Sequence, residues 1–180
     1  MRIAIIGNAG SGKSTLANWL ATQVDGAARL DLDTLYWEPG QIAVARPIEL
    51  ASADLARFCA NHASWVIEGC YTSLIEVALG FSPTLVFLDL DAEQCQHNCR
   101  QRPWEAHKFA SAEQQDQHLP FLLNWVGDYY QRDGDMSHSS HQACFAAYGG
   151  PKLALRQRPQ LHPAEAGIAE LFAMNGAISL

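Results

Sequence analysis

Eight consecutive residues, Gly7-Asn8-Ala9-Gly10-Ser11-Gly12-Lys13-Ser14, carry the clearest chemistry in this sequence. They match G-x-x-x-x-G-K-[ST], and the pattern has physical content. Glycines let successive backbone N–H groups turn inward around phosphate oxygens. A helix starting at the end of the loop adds its positive N-terminal pole. Lys13 then supplies a cation for the β- and γ-phosphates of a nucleoside triphosphate such as ATP, and the Ser14 hydroxyl a ligand for Mg²⁺. Thr15, next in the chain, and Arg156, far downstream, complete the expected nucleotide-binding set.

Carboxylates and arginines form the second group. Asp31 and Asp33 are two residues apart, which places both on one side of an extended segment. Metal and an acceptor hydroxyl are what carboxylates at that spacing would serve, with Asp33 as the group nearest the hydroxyl. The competing reading makes Asp33 the N-cap of a helical turn. Glu68-Gly69 places another acid at a glycine turn, on the acceptor side. Asp89 is a third carboxylate at a strand end and competes with Asp31 and Asp33 for the metal. Arg100 and Arg102 flank one glutamine just before Pro103, the most concentrated positive site in the chain. Guanidinium suits bidentate phosphate contact. Arg46 is placed to reach an anionic acceptor.

The elements that must position these residues alternate. Ile3-Ala4-Ile5-Ile6 reads as a strand leading into the loop, with Leu16, Trp19 and Leu20 at helical spacing after it. Further strands are expected at 28–31, 65–69, 84–90 and 152–156, the last ending at Arg156. Pro39-Gly40 signals a turn, followed by a loop over 41–46. Helices are expected from about 13 to 23, from Pro47, after Asp91, over 137–148 and over 163–174. Ser73-Leu74-Ile75-Glu76 has capping-box form. A long apolar-periodic stretch in 105–137 is interrupted by Pro120. Strands alternating with helices predict a parallel sheet covered on both faces, with ligands at the carboxyl ends of the strands.

Composition narrows the function. At 180 residues the chain suits one domain. A net charge of −7 with no basic run argues against nucleic acid, whose nonspecific binding needs Lys and Arg to neutralise phosphates. The five cysteines make no disulfide framework and no C-x-x-C pair. His97 falls on another side of its helix from Cys95 and Cys99, so no zinc site is expected there. A strand beginning at residue 2 leaves no room for a targeting segment, and no apolar run nears the ~18 residues of a membrane span. A cytoplasmic protein, monomeric or homodimeric, is expected.

The P-loop, "LDLDTLYWEPG", "WVIEGCY" and "TLVFLDLD…CRQRPW" together resemble bacterial adenylate-kinase-related proteins of the DNA topology modulation, or FlaR-like, family. More distantly the chain is similar to shikimate kinase and the nucleoside monophosphate kinases. The resemblance covers roughly residues 1–110. It implies a P-loop α/β/α sandwich with a five-stranded parallel sheet. The core would span about 1–35 and 64–180, with an acceptor-binding insertion at 36–63 and a lid at 100–137. It puts Lys13 and Ser14 on ATP and Mg²⁺, Asp31 and Asp33 at the D-x-D of shikimate kinase, and Arg100 and Arg102 among lid arginines that clamp the transferring group. Glu68-Gly69-Cys70-Tyr71 stands where shikimate kinase has three glycines, which argues against shikimate as acceptor. A small kinase is the expected function. A nucleotide hydrolase and a regulatory ATP-binding protein are the alternatives.

Overall fold

The computed structural model describes residues 1–39, 44–105 and 110–176. The Pro39-Gly40 turn, the loop expected at 41–46 and the stretch 105–137 therefore fall partly outside the described residues. Five strands, β1 (Arg2–Gly7), β2 (Ala28–Asp31), β3 (Trp65–Gly69), β4 (Thr84–Leu88) and β5 (Lys152–Leu155), form one sheet in the order β2-β3-β1-β4-β5. Every neighbouring pair is parallel, with Ile5 in register with Glu68 and Val86, and Asp31 with Glu68. This is the expected five-stranded parallel α/β sandwich.

Period-two alternation divides the core into two layers. Ala4, Ile6, Trp65, Ile67, Leu85 and Phe87 face α3 (Ile48–Asn61), α4 (Thr72–Leu79) and α7 (His138–Ala147). Ile3, Ile5, Val66, Val86 and Leu88 face α1 (Lys13–Thr22), α5 (Ala92–Arg100) and α8 (Ala166–Met174). The central strands are buried on both faces because parallel crossovers cover both with helices. The remaining elements complete this order. The single turn α2 (Asp33–Tyr36) follows β2, and α6 (Ala112–Gly127) precedes a 3₁₀ turn, Asp128–Tyr130.

Local expectations fail in four places. The chain does not stay extended to Asp33. After Asp31 it turns into α2, and the Asp33 N–H donates to Asp31 Oδ1 at 2.9 Å. Aspartate readily makes this local bond, and it stops the strand. β4 ends at Leu88 rather than at 90. Pro120 lies inside α6 without ending it. Proline removes one backbone donor there, a loss that an exposed helix face packed on its other side can carry. The capping box at Ser73 does not form. Instead Asp135, distant in sequence, accepts from the Ser73 N–H (2.7 Å) and hydroxyl (2.9 Å) at the start of α4. Among the described residues no helix is long and apolar enough to cross a membrane.

Candidate active site

The P-loop runs from the end of β1 to the start of α1, and its shape depends on glycine at two positions. Gly10 (φ 80) and Gly12 (φ 93) occupy left-handed conformations. A Cβ on Gly10 would also fall 2.3 Å from the Cys95 carbonyl oxygen, so α5 seals the loop from below. Side chains hold the loop in place. Asn8 is fully buried, and its Nδ2 donates to the Val126 carbonyl at the end of α6 (3.0 Å) while its Oδ1 accepts from the Ala9 N–H (2.9 Å). Asn98 on α5 donates to the Gly10 carbonyl at 2.8 Å. Lys13 is buried and donates from Nζ to the Asn8 carbonyl at 2.8 Å.

A cavity of about 490 Å³ opens over this loop. The residues predicted from sequence that line it are Ala9, Gly10, Gly12, Lys13, Ser14, Thr15, Asp31, Asp33, Glu68, Gly69 and Arg102. Gly7, Asn8 and Ser11 belong to the same loop but are buried and do not line the cavity. Glu68 is buried at the end of β3, and its Oε1 has no hydrogen-bond partner, the Arg29 guanidinium approaching only to 3.8 Å. Burial pushes the Glu68 carboxyl up from its ordinary value. Lys13 and the Ser14 hydroxyl oppose that rise, while Asp31 and Asp33 add to it. Asp33 is held by the buried Tyr71, whose hydroxyl donates to Oδ1 at 2.7 Å. Tyr36 stacks on Tyr71 with ring centroids 4.0 Å apart.

Four expected residues stand elsewhere. Asp89 has the alternation parity of Leu85 and Phe87, so it turns toward α7 and meets His138 Nε2 at 3.0 Å. Glu68 has the parity of Val66, so it turns toward α1 and the P-loop. Arg156 reaches Asp89 at 4.0 Å and is almost wholly in solvent. Arg46 donates to Asp54 at 2.8 Å and to the Leu35 carbonyl at 3.0 Å, outside the cavity. Arg100, the last residue of α5, lies on a separate surface depression with Asp91, Glu93 and His97. Arg102, just past the helix end, does line the cavity and pairs with Glu105 at 3.1 Å.

Asn98, Gln101, Tyr71 and Arg158 are contributors that the sequence did not single out. Arg158 lies over Gly12, where an added Cβ would be 3.5 Å from its Nε. A lone arginine in an irregular segment carries no periodic signal, whereas Tyr71 adjoins a motif already noted. Among the described residues no three His, Cys, Asp or Glu side chains could cage a metal. Mg²⁺ in phosphate sites typically takes few protein ligands and keeps water and phosphate oxygens, so Ser14 with Glu68 Oε1 behind it fits such an ion.

No family profile matches this sequence, and no curated protein matches it. Solved structures do resemble its fold. An unliganded sugar kinase from Janibacter sp. has a TM-score of 0.53 at 16% identity, over 97% of this chain and 93% of that one. The deoxyadenosine kinase of M. mycoides with bound dATP gives 0.51 at 12% identity, over 98% and 100%. Shikimate kinase from Bacteroides thetaiotaomicron gives 0.50 at 15% identity, over 97% and 93%. The chain has the fold of these P-loop kinases.

Proposed function

We propose that this chain is a small-molecule kinase that transfers the γ-phosphoryl group of ATP to a hydroxyl acceptor. One observation carries the reading. A single cavity brings the P-loop residues Lys13 and Ser14 opposite the carboxylates Asp31, Asp33 and Glu68, with Arg102 at its edge. Phosphoryl transfer asks chiefly for positioning and for stabilisation of charge on the transferring group. The P-loop amides and Lys13 hold the phosphates, and Lys13 must leave the Asn8 carbonyl to do so. When bound, Mg²⁺ would neutralise phosphate charge, with Ser14 as its protein ligand and Glu68 or Asp31 behind.

Asp33 is the acceptor's proton acceptor in this scheme. The hydroxyl oxygen bonds to the γ-phosphorus, the bond to the bridging oxygen breaks to leave ADP, and the hydroxyl proton passes to the carboxylate. The Tyr71 hydroxyl fixes that carboxylate in place. Arg102 exchanges Glu105 for the transferring group, where its charge counts most in the transition state. In domain terms, 1–35 and 64–180 form the core, 36–63 the acceptor-side insertion and 100–137 the lid.

The test is ATP consumption with Mg²⁺ across a broad panel of sugars, polyols, nucleosides and nucleotides. Stimulation by one acceptor, with a phosphorylated product, supports the kinase. Slow turnover unchanged by every acceptor overturns it in favour of a hydrolase or a nucleotide-dependent switch.

A further inference from the structure

A buried histidine holds the chain where it leaves β3. His141 on α7 is fully buried and does not line the cavity, yet both of its ring nitrogens are engaged. Nε2 lies 2.8 Å from the Cys70 carbonyl oxygen, and Nδ1 lies 2.6 Å from the Tyr129 hydroxyl. A carbonyl only accepts, so Nε2 carries the ring proton and donates it. Nδ1 is then the acceptor, and the phenol donates to it. Burial lowers the His141 pKa to about 3 and raises that of Tyr129, so neither group changes charge near neutral pH. The donors run one way, from Tyr129 through His141 to Cys70.

The peptide held by His141 lies between two parts of the site. Glu68, Gly69 and Cys70 line the cavity, and Tyr71 follows them. The Cys70 carbonyl and the Tyr71 N–H share one peptide plane. A donor on that oxygen sets the plane from which Tyr71 departs, and Tyr71 in turn donates to Asp33. Asp135 holds the helix start after Tyr71, while His141 holds the residue before it. Segments 31–33 and 68–71 also meet at two further points. The Leu32 N–H donates to the Glu68 carbonyl at 2.9 Å, and a Cβ on Gly69 would fall 2.8 Å from the Leu32 Cβ. The two segments therefore move together, and an anchor on the second places the first. The first turn of α7 supplies it, with Ser140 on Thr72 at 2.9 Å and His141 on Cys70.

Resting on the kinase reading, we propose that His141 is a positioning residue for phosphotransfer. Its Nε2–H fixes the Cys70–Tyr71 peptide and, through Tyr71, the carboxylate of Asp33 that meets the acceptor hydroxyl. His141 touches neither nucleotide nor acceptor, so its effect belongs to the transfer step and not to ATP binding.

The experiment compares His141→Gln with His141→Asn. A glutamine amide reaches the Nε2 position and donates to the Cys70 carbonyl. An asparagine amide stops at the Nδ1 position and serves Tyr129 alone. Turnover is measured with the sugar, polyol, nucleoside or nucleotide that most stimulates ATP consumption. His141→Asn should lower kcat by at least ~10-fold with the KM for ATP unchanged, because a small misplacement of reacting groups is that costly. His141→Gln should stay within ~3-fold of the wild type. In a Tyr71→Phe background the loss on adding His141→Asn should shrink below ~3-fold, since the path to Asp33 is already cut. A role in stability alone gives equal losses in the two backgrounds, and that result overturns the inference. Equal activity of the Gln and Asn variants overturns it too. Nitrogen NMR of the histidine-labelled wild type, with His141→Gln to assign the signal, reads the tautomer without relying on a variant's fold. A ring proton on Nδ1 instead of Nε2 overturns the inference. Each of these results leaves the kinase reading standing. Absence of stimulation by every acceptor overturns the kinase reading and this inference with it.

Discussion

The Tyr71 hydroxyl donates a 2.7 Å hydrogen bond to Asp33 Oδ1, joining the N-cap residue of α4 to the first residue of α2. Asp33 lines the cavity, and Tyr71 behind it is itself buried. Burial is the main reason the phenol's pKa lies far above its ordinary value, so it remains a donor at any working pH. Tyr71→Phe deletes only this bond. It should cost about 1–2 kcal/mol of stability, since a hydrogen bond to a charged group is lost. The kcat for phosphotransfer should fall while the KM for ATP stays unchanged. Urea denaturation and steady-state kinetics check both. An unchanged kcat would show that Asp33 needs no such support.

Lys13 and Ser14 should carry nucleotide binding. Lys13→Ala removes the loop's own cation, and Ser14→Ala removes the metal's hydroxyl. Each should weaken ATP–Mg²⁺ binding by ~10-fold or more in calorimetric titration. Wild-type affinity in both variants contradicts the assignment.

Glu68 links function to pH. Its carboxyl titrates above the ordinary 4.5 because burial disfavours the charge. The folded state therefore holds this proton more tightly than the unfolded state does. The Glu68 contribution to stability is greatest below pH 4.5 and declines as pH rises through the raised value. Glu68→Gln removes that decline. At pH 7 the variant should have a higher Tm than the wild type, and the difference should vanish near pH 4. Phosphotransfer should be lost at the same time, the usual exchange of stability for an active-site charge. Thermal denaturation from pH 4 to 8 reads the first effect. A variant less stable than the wild type at pH 7 refutes the account.

Arg102 and Arg100 should separate. Arg102→Ala should lower kcat by about 10²-fold or more, toward the ~10³–10⁵-fold that arginines contribute to phosphoryl transfer elsewhere. Arg100→Ala should change little, because Arg100 faces a different depression. Equal effects in the two variants would mean that α5 places both side chains on the nucleotide.

Asp33→Asn and Asp89→Asn should also differ. The first keeps shape but loses charge, and should abolish transfer with ATP affinity near wild type. The second weakens the contact with His138 and should leave both ATP affinity and transfer in place. Loss of Mg²⁺-dependent ATP binding in Asp89→Asn would return that carboxylate to the metal.

What the sequence determined is contiguous. The P-loop, its flanking strand and helix, and all five strands are local patterns, because phosphate cradling needs consecutive amides and a strand needs only its own few residues. The acids at the ends of β2 and β3 follow from the parallel topology. What only the tertiary structure decided is direction and pairing. Strands apolar on both faces carry no inside-or-outside signal. Glu68 and Asp89 therefore look alike in sequence, and only the helix packed on each face tells them apart: α1 for Glu68, α7 for Asp89. Arg46 was spent on Asp54 eight residues away, while Asp135 replaced a capping box 62 residues upstream. Arg158 came to Gly12 from across the chain. Each of these depends on a partner distant in sequence, chosen by packing that no local pattern records.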